Sequence, residues 1–163
     1  MAWLRAVHFT DEGRGWAVGG NGALLATSDG GATWQTRPRP TADTLRDVFF
    51  VDQSTGWLVC ERNVFALKSD AESRSYLLRT ADGGESWSRV ELTKDEPGVL
   101  LARVAFADAS RGWVFGEMGA LYSTRDGGRS WSRQRTGTRN VLLGASFVGD
   151  ARVWLVGAGG PGA

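Results

Sequence analysis

The sequence is poor in cysteine, histidine and lysine, and its charge is almost balanced. It has one cysteine, one histidine and two lysines, with 19 basic against 18 acidic residues in 163. The single Cys60 excludes an intrachain disulfide and a thiolate metal cluster, so we expect it to be a small, partly buried filler. The balanced charge favours neither a nucleic acid nor a membrane surface as partner.

Long apolar runs and clusters of catalytic residue types are also lacking. No stretch approaches the ~18 apolar residues that suggest a membrane span, and the start Met1-Ala2-Trp3 has neither a charged leader nor an apolar signal core. We therefore expect no membrane span, and no export signal in the chain as written. His8 has no cysteine or second histidine beside it, which predicts no metal, cofactor or catalytic site around it.

What the sequence does contain is a repeated eight-residue motif, Thr-x-Asp-Gly-Gly-x-Ser/Thr-Trp. Three copies occur, and each places an Asp-Gly-Gly turn just before a tryptophan. Glycine supplies the positive φ angles of a tight turn, and the aspartate can accept hydrogen bonds from the turn's own amides. We therefore assign a structural role to Asp29, Gly30, Gly31, Trp34, Asp82, Gly83, Gly84, Trp87, Asp126, Gly127, Gly128 and Trp131.

A second matched segment precedes each motif and appears a fourth time at the end. Four segments start at Leu4, Leu45, Leu101 and Leu142, and each has a Phe five residues later and a Trp twelve residues later. Successive segments start 41, 56 and 41 residues apart. A period near 40 with four short strands per unit predicts a radially repeated all-β fold. In the first unit the predicted strands are Leu4 to Phe9, Gly15 to Gly19, Ala23 to Thr27 and Thr33 to Arg37.

The predicted fold is an incomplete β-propeller of four-stranded antiparallel blades. The blades span approximately residues 1–41, 42–97 and 98–138, and residues 139–163 match only the first two strands of a fourth. Propellers have about four to eight blades. We expect the missing blades to come from a longer chain or from self-association.

The combined unit, Leu-x-x-Val-x-Phe, Gly-Trp-x-Val-Gly and the Asp-Gly-Gly motif, resembles the Asp-box, or bacterial neuraminidase (BNR), repeat. Over essentially the whole chain it is most similar to the photosystem II stability and assembly factor family of β-propellers. The resemblance implies a non-enzymatic scaffold that binds another protein, which in photosynthetic members is a precursor subunit bound partly through arginines. It also implies the periplasm, the thylakoid lumen or the extracellular space, if a leader lies upstream.

Alternating strand directions divide the loops between two faces. The motif turns fall on one face, while the hairpins between second and third strands and the links between blades fall on the other. An insertion of 12 residues in the second blade, roughly Glu61 to Tyr76, lies on that other face, with Val64 to Leu67 predicted as a flanking strand and Lys68 to Ser75 as a polar loop. Loops of one face commonly carry function in repeat folds. The candidate residues for binding a protein partner are Arg37, Arg39, Lys68, Arg74, Arg135 and Arg139.

A fragment of an Asp-box glycoside hydrolase, with catalytic residues outside this segment, is the alternative. Glycosidases need paired carboxyl groups, or in sialidases a tyrosine with a glutamate. Tyr76 and Tyr122 lie in predicted third strands, which favours packing. Glu61 and Glu117 follow second strands and could line a pocket, although one acidic residue per hairpin is ordinary surface composition.

Overall fold

The computed structural model describes residues 3–148 and 152–159. Apart from three short 3-10 turns, Gly20–Gly22, Val64–Ala66 and Glu117–Gly119, the regular elements in these residues are all β-strands. The predictions about the start at Met1 and Ala2 fall outside the described residues.

Three four-stranded antiparallel sheets follow one another along the chain, each with its strands in sequence order. The first contains β1 (Leu4–Phe9), β2 (Gly15–Gly19), β3 (Leu24–Thr27) and β4 (Gln35–Thr36). The second contains β5 (Thr44–Phe50), β6 (Gly56–Glu61), β7 (Ser75–Thr80) and β8 (Ser88–Val90). The third contains β9 (Leu101–Phe106), β10 (Gly112–Gly116), β11 (Leu121–Thr124) and β12 (Ser132–Arg133). A two-stranded sheet of β13 (Val141–Val148) and β14 (Arg152–Ala158) follows.

The predicted all-β architecture of three blades and two strands of a fourth is confirmed by this topology. The fourth strand of the first blade is shorter than the predicted Thr33 to Arg37. Thr33 belongs to the turn instead, because its amide and its hydroxyl donate to Asp29 Oδ1 and Oδ2 at 2.9 and 2.6 Å.

A β-bulge near the start of the first strands explains the Leu-x-x-Val-x-Phe spacing. In β5 the register shifts between Leu45 and Asp47. Side chains three residues apart would otherwise point to opposite faces of a strand, and the extra bulged residue brings them to the same face. Leu45, Val48 and Phe50 are accordingly all buried in one cluster between the first two blades.

The hydrophobic core lies between blades rather than within them. Residues of β2 and β3 in the first blade, including Trp16 and Val18, pack against Leu45, Val48 and Phe50 of the second. Equivalent clusters lie between the second and third blades and between the third blade and the two-stranded sheet. Each sheet therefore depends on its neighbours to bury its faces.

One aromatic pair recurs at each of these three interfaces. A tryptophan of the second strand packs against the phenylalanine that ends the first strand of the next blade. The ring-centroid distances are 3.7 Å for Trp16 and Phe50, 5.8 Å for Trp57 and Phe106, and 5.0 Å for Trp113 and Phe147. These residues occupy the repeat positions that the sequence alignment identified, so the repeat encodes the blade-to-blade contact.

Candidate protein-binding face

Backbone hydrogen bonds show which loops share a face. The Asp-box turn of each blade donates to the turn between that blade's first two strands: Gly30 N to Gly13 O at 2.8 Å, Gly83 N to Ser54 O at 2.8 Å, and Gly127 N to Ser110 O at 2.9 Å. We call this side of the arc the Asp-box face. The hairpins between second and third strands lie on the opposite side with the interblade links, and we call that side the link face.

The three Asp-boxes have the same hydrogen-bond pattern. In the second box, Thr80 Oγ1 donates to Asp82 Oδ1 at 2.7 Å and accepts from Gly84 N at 2.9 Å. Ser86 then donates from its amide and its hydroxyl to the two oxygens of Asp82. The boxes of Asp29 and Asp126 repeat each of these bonds. Both oxygens of each carboxylate are thus engaged within the turn.

These hydrogen bonds hold the Asp-box carboxylates ionised. Donation from Thr33 to Asp29 and from Ser86 to Asp82 lowers the pKa of each carboxyl to about 2. Donation from Ser130 likewise lowers the pKa of Asp126. A general acid must hold a proton near neutral pH, and these carboxylates do not. Their hydrogen bonds within the turn suit them to stabilising it.

The second glycine of a box also serves blade packing. Gly128 has φ +78°, which favours glycine, and a Cβ placed there would lie 2.2 Å from the indole of Trp57 in the preceding blade. Trp131 of the same box meets Trp57 edge to face, with ring centroids 5.5 Å apart. The third Asp-box therefore contacts the preceding blade as well as its own.

On the link face, each hairpin of a full blade packs on the link that follows. A Cβ on Gly22 would lie 1.8 Å from Thr41 O. Arg74 N donates to Pro97 O at 2.8 Å and Gly119 N donates to Asn140 O at 2.9 Å. In each full blade the hairpin and the link that follows it are therefore in direct contact.

The insertion in the second blade differs from its prediction. Val64 to Leu67 was predicted as a strand, but Val64–Ala66 is a 3-10 turn, because Asn63 Oδ1 accepts from Phe65 N at 3.0 Å and starts it. Ser75, predicted within the polar loop, is buried at the start of β7. Its hydroxyl donates to Val99 O at 2.9 Å and accepts from Leu101 N at 3.0 Å.

Polar contacts hold the insertion in place. Arg62 forms ion pairs with Glu72 at 3.0 Å and with Glu91 at 3.3 Å. Glu72 also accepts from Lys68 N at 2.9 Å. These contacts therefore hold the insertion in place, and its exposed side chains include Phe65.

The six predicted binding residues fall into two groups. Arg37 forms an ion pair with Glu85 of the neighbouring Asp-box loop at 3.4 Å. Arg74 donates to Gly98 O at 3.3 Å and lies 3.9 Å from both Glu61 and Glu117. Four exposed side chains form no ion pair or hydrogen bond with the other described residues: Arg39, Lys68, Arg135 and Arg139.

The residues named for the hydrolase alternative form hydrogen bonds, ion pairs and packing contacts within the blades. The Tyr76 hydroxyl donates to Asp43 Oδ2 at 2.7 Å, and burial raises its pKa. Glu61 accepts from Arg46 at 2.7 Å, and Tyr122 is buried beneath the guanidinium of Arg133 at 5.4 Å from its ring centre.

Two contacts between blades were not predicted from the sequence. Asp47 is buried and accepts from Arg103 Nη1 at 3.0 Å and from Val104 N at 2.9 Å, and burial raises its pKa. His8 lies 2.9 Å from Phe50 O through Nε2, and burial lowers its pKa. Neither position keeps its residue type in the other repeats, so the repeat pattern gave no signal for these contacts.

The described residues contain no helix long and apolar enough to cross a membrane. Over the same part of the chain, no group of three or more His, Cys, Asp or Glu side chains is arranged to hold a metal ion.

The fold and its hydrogen-bonded Asp-box turns define the class of protein: the chain is part of a β-propeller built from Asp-box blades. The sequence profile of the family described as "Photosynthesis system II assembly factor YCF48" matches residues 2–102 and again residues 38–146. The chain belongs to this photosystem II assembly factor family of BNR-repeat proteins, as its resemblance predicted.

Curated relatives of the chain are also named as photosystem II assembly proteins. It is 32% identical over 120 residues to the chloroplastic photosystem II stability/assembly factor HCF136 of Arabidopsis thaliana, an alignment covering 70% of this chain and 26% of that protein. It is 32% identical over 122 residues to the photosystem II assembly lipoprotein Ycf48 of Synechococcus sp. (strain CC9902), covering 72% and 32%.

A solved structure described as "YCF48 bound to D1 peptide" superimposes with a TM-score of 0.72 at 26% identity. The superposition covers 96% of this chain and 48% of that one. The chain thus spans about half of the solved protein, and about a quarter to a third of the curated relatives.

Proposed function

We propose that this chain is part of a non-enzymatic scaffold that holds a segment of another protein on its link face, as an assembly factor does. The observation that carries the proposal is the superposition on a relative bound to D1 peptide. Family membership supports a protein-binding role, and the choice of face rests on the geometry of this chain.

Unpaired positive charge is the first argument for the link face. Arg39, Arg135 and Arg139 are exposed and have no ion pair or hydrogen bond among the described residues. A planar guanidinium can donate two parallel hydrogen bonds to a carboxylate or to peptide carbonyls. A polypeptide with acidic or carbonyl-rich segments is therefore the ligand that fits.

Rigidity of the surface is the second argument. The link residues Thr136 and Asn140 are fixed to the adjacent hairpin, through Thr136 Oγ1 to Gly119 O at 3.0 Å and Gly119 N to Asn140 O at 2.9 Å. Arg135 and Arg139 therefore extend from an anchored backbone. An anchored backbone reduces the entropy lost when a ligand binds.

The test compares two charge-reversal pairs, one in the link after the third blade and one in the third Asp-box. Arg135→Glu/Arg139→Glu changes the link face, while Arg125→Glu/Arg129→Glu makes the same change in net charge on the Asp-box face, where both arginines are exposed. With fluorescently labelled D1 peptide, we expect the first pair to weaken binding about tenfold or more and the second to leave it within about twofold. Equal losses would show a non-specific charge effect, and failure of the unmodified chain to bind would contradict the proposal.

A further inference from the structure

Large hydrophobic side chains are exposed at two hairpin tips on the link face. Within residues 10–140, the exposed ones are Val64, Phe65 and Met118. Phe65 is 95% exposed in the 3-10 turn of the insertion, and Met118 is 55% exposed in the turn between β10 and β11. In the middle of the arc, exposed large hydrophobic side chains therefore lie on the link face alone.

The turn that carries Met118 favours a different residue at this position. The first and third blades have the same turn between their second and third strands, with Asn21 and Gly22 at its centre in the first blade and Met118 and Gly119 in the third. All four residues have φ between 55° and 67°. Positive φ at both central positions is typical of a type I′ turn, which favours Asn-Gly. Methionine lacks the short polar side chain that makes this conformation accessible to asparagine.

The strained backbone and the exposed side chain of Met118 have a common explanation. Because the side chain is more than half exposed, packing within the blade does little to offset the unfavourable φ. Backbone strain of this kind is concentrated at binding sites and other functional sites. The flexible, polarisable thioether of methionine suits surfaces that adapt to a ligand. These properties favour a contact outside the blade.

Polar contacts join the two hairpins that carry Phe65 and Met118. Arg62, three residues before Phe65, donates from its amide to Arg74 O at 2.9 Å. Arg74 Nη1 in turn lies 3.9 Å from Glu117 Oε2, and Met118 is the next residue. The two exposed apolar side chains therefore lie on hairpins that are in direct contact across the boundary between the second and third blades.

Unpaired cations lie close in the chain or in space to both side chains. Lys68 follows Phe65 by three residues, and the turn of Met118 is hydrogen-bonded to the link that carries Arg135 and Arg139. These three cations are exposed and form no ion pair with a described residue. A ligand that matches this surface has carboxylates for the cations and apolar side chains for the two hairpin tips.

We propose that Phe65 and Met118 are apolar anchors for a polypeptide segment that carries both apolar and acidic side chains. Its apolar side chains pack on the two hairpin tips, and its carboxylates pair with Lys68, Arg135 and Arg139. This inference rests on the proposed function and adds the side-chain chemistry of the ligand. A few apolar anchors commonly contribute most of the affinity of an interface.

Met118→Asn separates a binding role from a structural one. Because asparagine occupies the same turn position in the first blade, the variant should have a melting temperature about 2 °C higher. It should nevertheless bind fluorescently labelled D1 peptide about threefold to tenfold more weakly. Asn21→Met, the reverse exchange in the first blade, is the matched control: it should lower the melting temperature and leave peptide binding within about twofold.

The outcome for Met118→Asn distinguishes this inference from the proposed function. A variant that binds the peptide as tightly as the unmodified chain would overturn the inference and leave the proposed function in place. An unmodified chain that does not bind the peptide would overturn both. A loss of binding equal in Asn21→Met and Met118→Asn would also contradict a specific anchor.

Phe65→Ser and a modified peptide test the apolar contact itself. The substitution should leave the melting temperature unchanged, because Phe65 is almost fully exposed, and should weaken peptide binding about tenfold. A D1 peptide with its apolar residues replaced by serine should bind the unmodified chain and the Phe65→Ser variant equally weakly. Binding of the unmodified chain to phosphatidylglycerol vesicles that Phe65→Ser abolishes, with peptide binding unchanged, would show a membrane contact and contradict the proposal.

Discussion

The indole of Trp16 lies flat on the ring of Phe50, with centroids 3.7 Å apart and planes 8° from parallel. Trp16 belongs to the first blade and Phe50 to the second, and both are buried. The pair joins two sheets that share no backbone hydrogen-bond ladder. Side-chain packing of this kind is therefore the main connection between blades.

Phe50→Ala should strongly destabilise the fold. The substitution leaves a cavity against Trp16 and removes the edge-to-face contact with Trp87. Truncating a buried phenylalanine typically costs about 3–5 kcal/mol. Urea unfolding followed by circular dichroism measures the loss, and Phe65→Ala, at a side chain that is 95% exposed, should change stability by less than about 0.5 kcal/mol. Similar effects of the two variants would contradict the interblade core.

Thr80→Val should destabilise the second Asp-box although the volume is nearly unchanged. The buried hydroxyl of Thr80 bonds to the Asp82 carboxylate and to the amide of Gly84. Leaving such groups unpaired costs about 1–3 kcal/mol. Thr80→Ser keeps the hydroxyl and should retain most of the stability in the same urea titration. A valine variant as stable as the serine variant would show that these bonds contribute little.

Stability should fall as the pH decreases from about 4 to about 2. In the folded state the pKa of Asp29 and of Asp82 is lowered from 3.8 to about 2, so their stabilisation is present above the unfolded value and is lost on protonation. Asp47 has the opposite effect on the pH dependence of stability, because burial raises its pKa. The melting temperature between pH 5 and pH 2 is the measurement.

Ser86→Ala is the matched variant for this titration. It removes the hydroxyl donor that lowers the pKa of Asp82 most, so the melting temperature should depend less steeply on pH between 4 and 2. An unchanged slope would remove the second Asp-box from the explanation of acid unfolding.

The fold was largely predictable from the sequence because the residues that bury surface between blades recur at fixed spacings. Trp16, Trp57 and Trp113 share one repeat position, and each packs on the phenylalanine of the next blade. The turn at Val64–Ala66 was not predictable from apolar composition, because one local hydrogen bond from Phe65 N to Asn63 decides it.

The candidate site was less predictable, because composition does not show which arginines are paired. Arg37 and Arg39 are two residues apart in one link, yet Arg37 pairs with Glu85 of the next blade, whereas Arg39 forms no ion pair with any described residue. Only the three-dimensional contacts show which arginines already form ion pairs and which could bind a partner.

Hydrogen exchange with bound D1 peptide tests the central claim most directly. Among residues 3–148, the claim predicts slower amide exchange in the links at residues 37–41, 94–100 and 135–140 and in the insertion at residues 61–76. The Asp-box turns around Asp29, Asp82 and Asp126 should exchange at unchanged rates. Protection confined to the Asp-box turns, or no protection at saturating peptide, would contradict a binding surface on the link face.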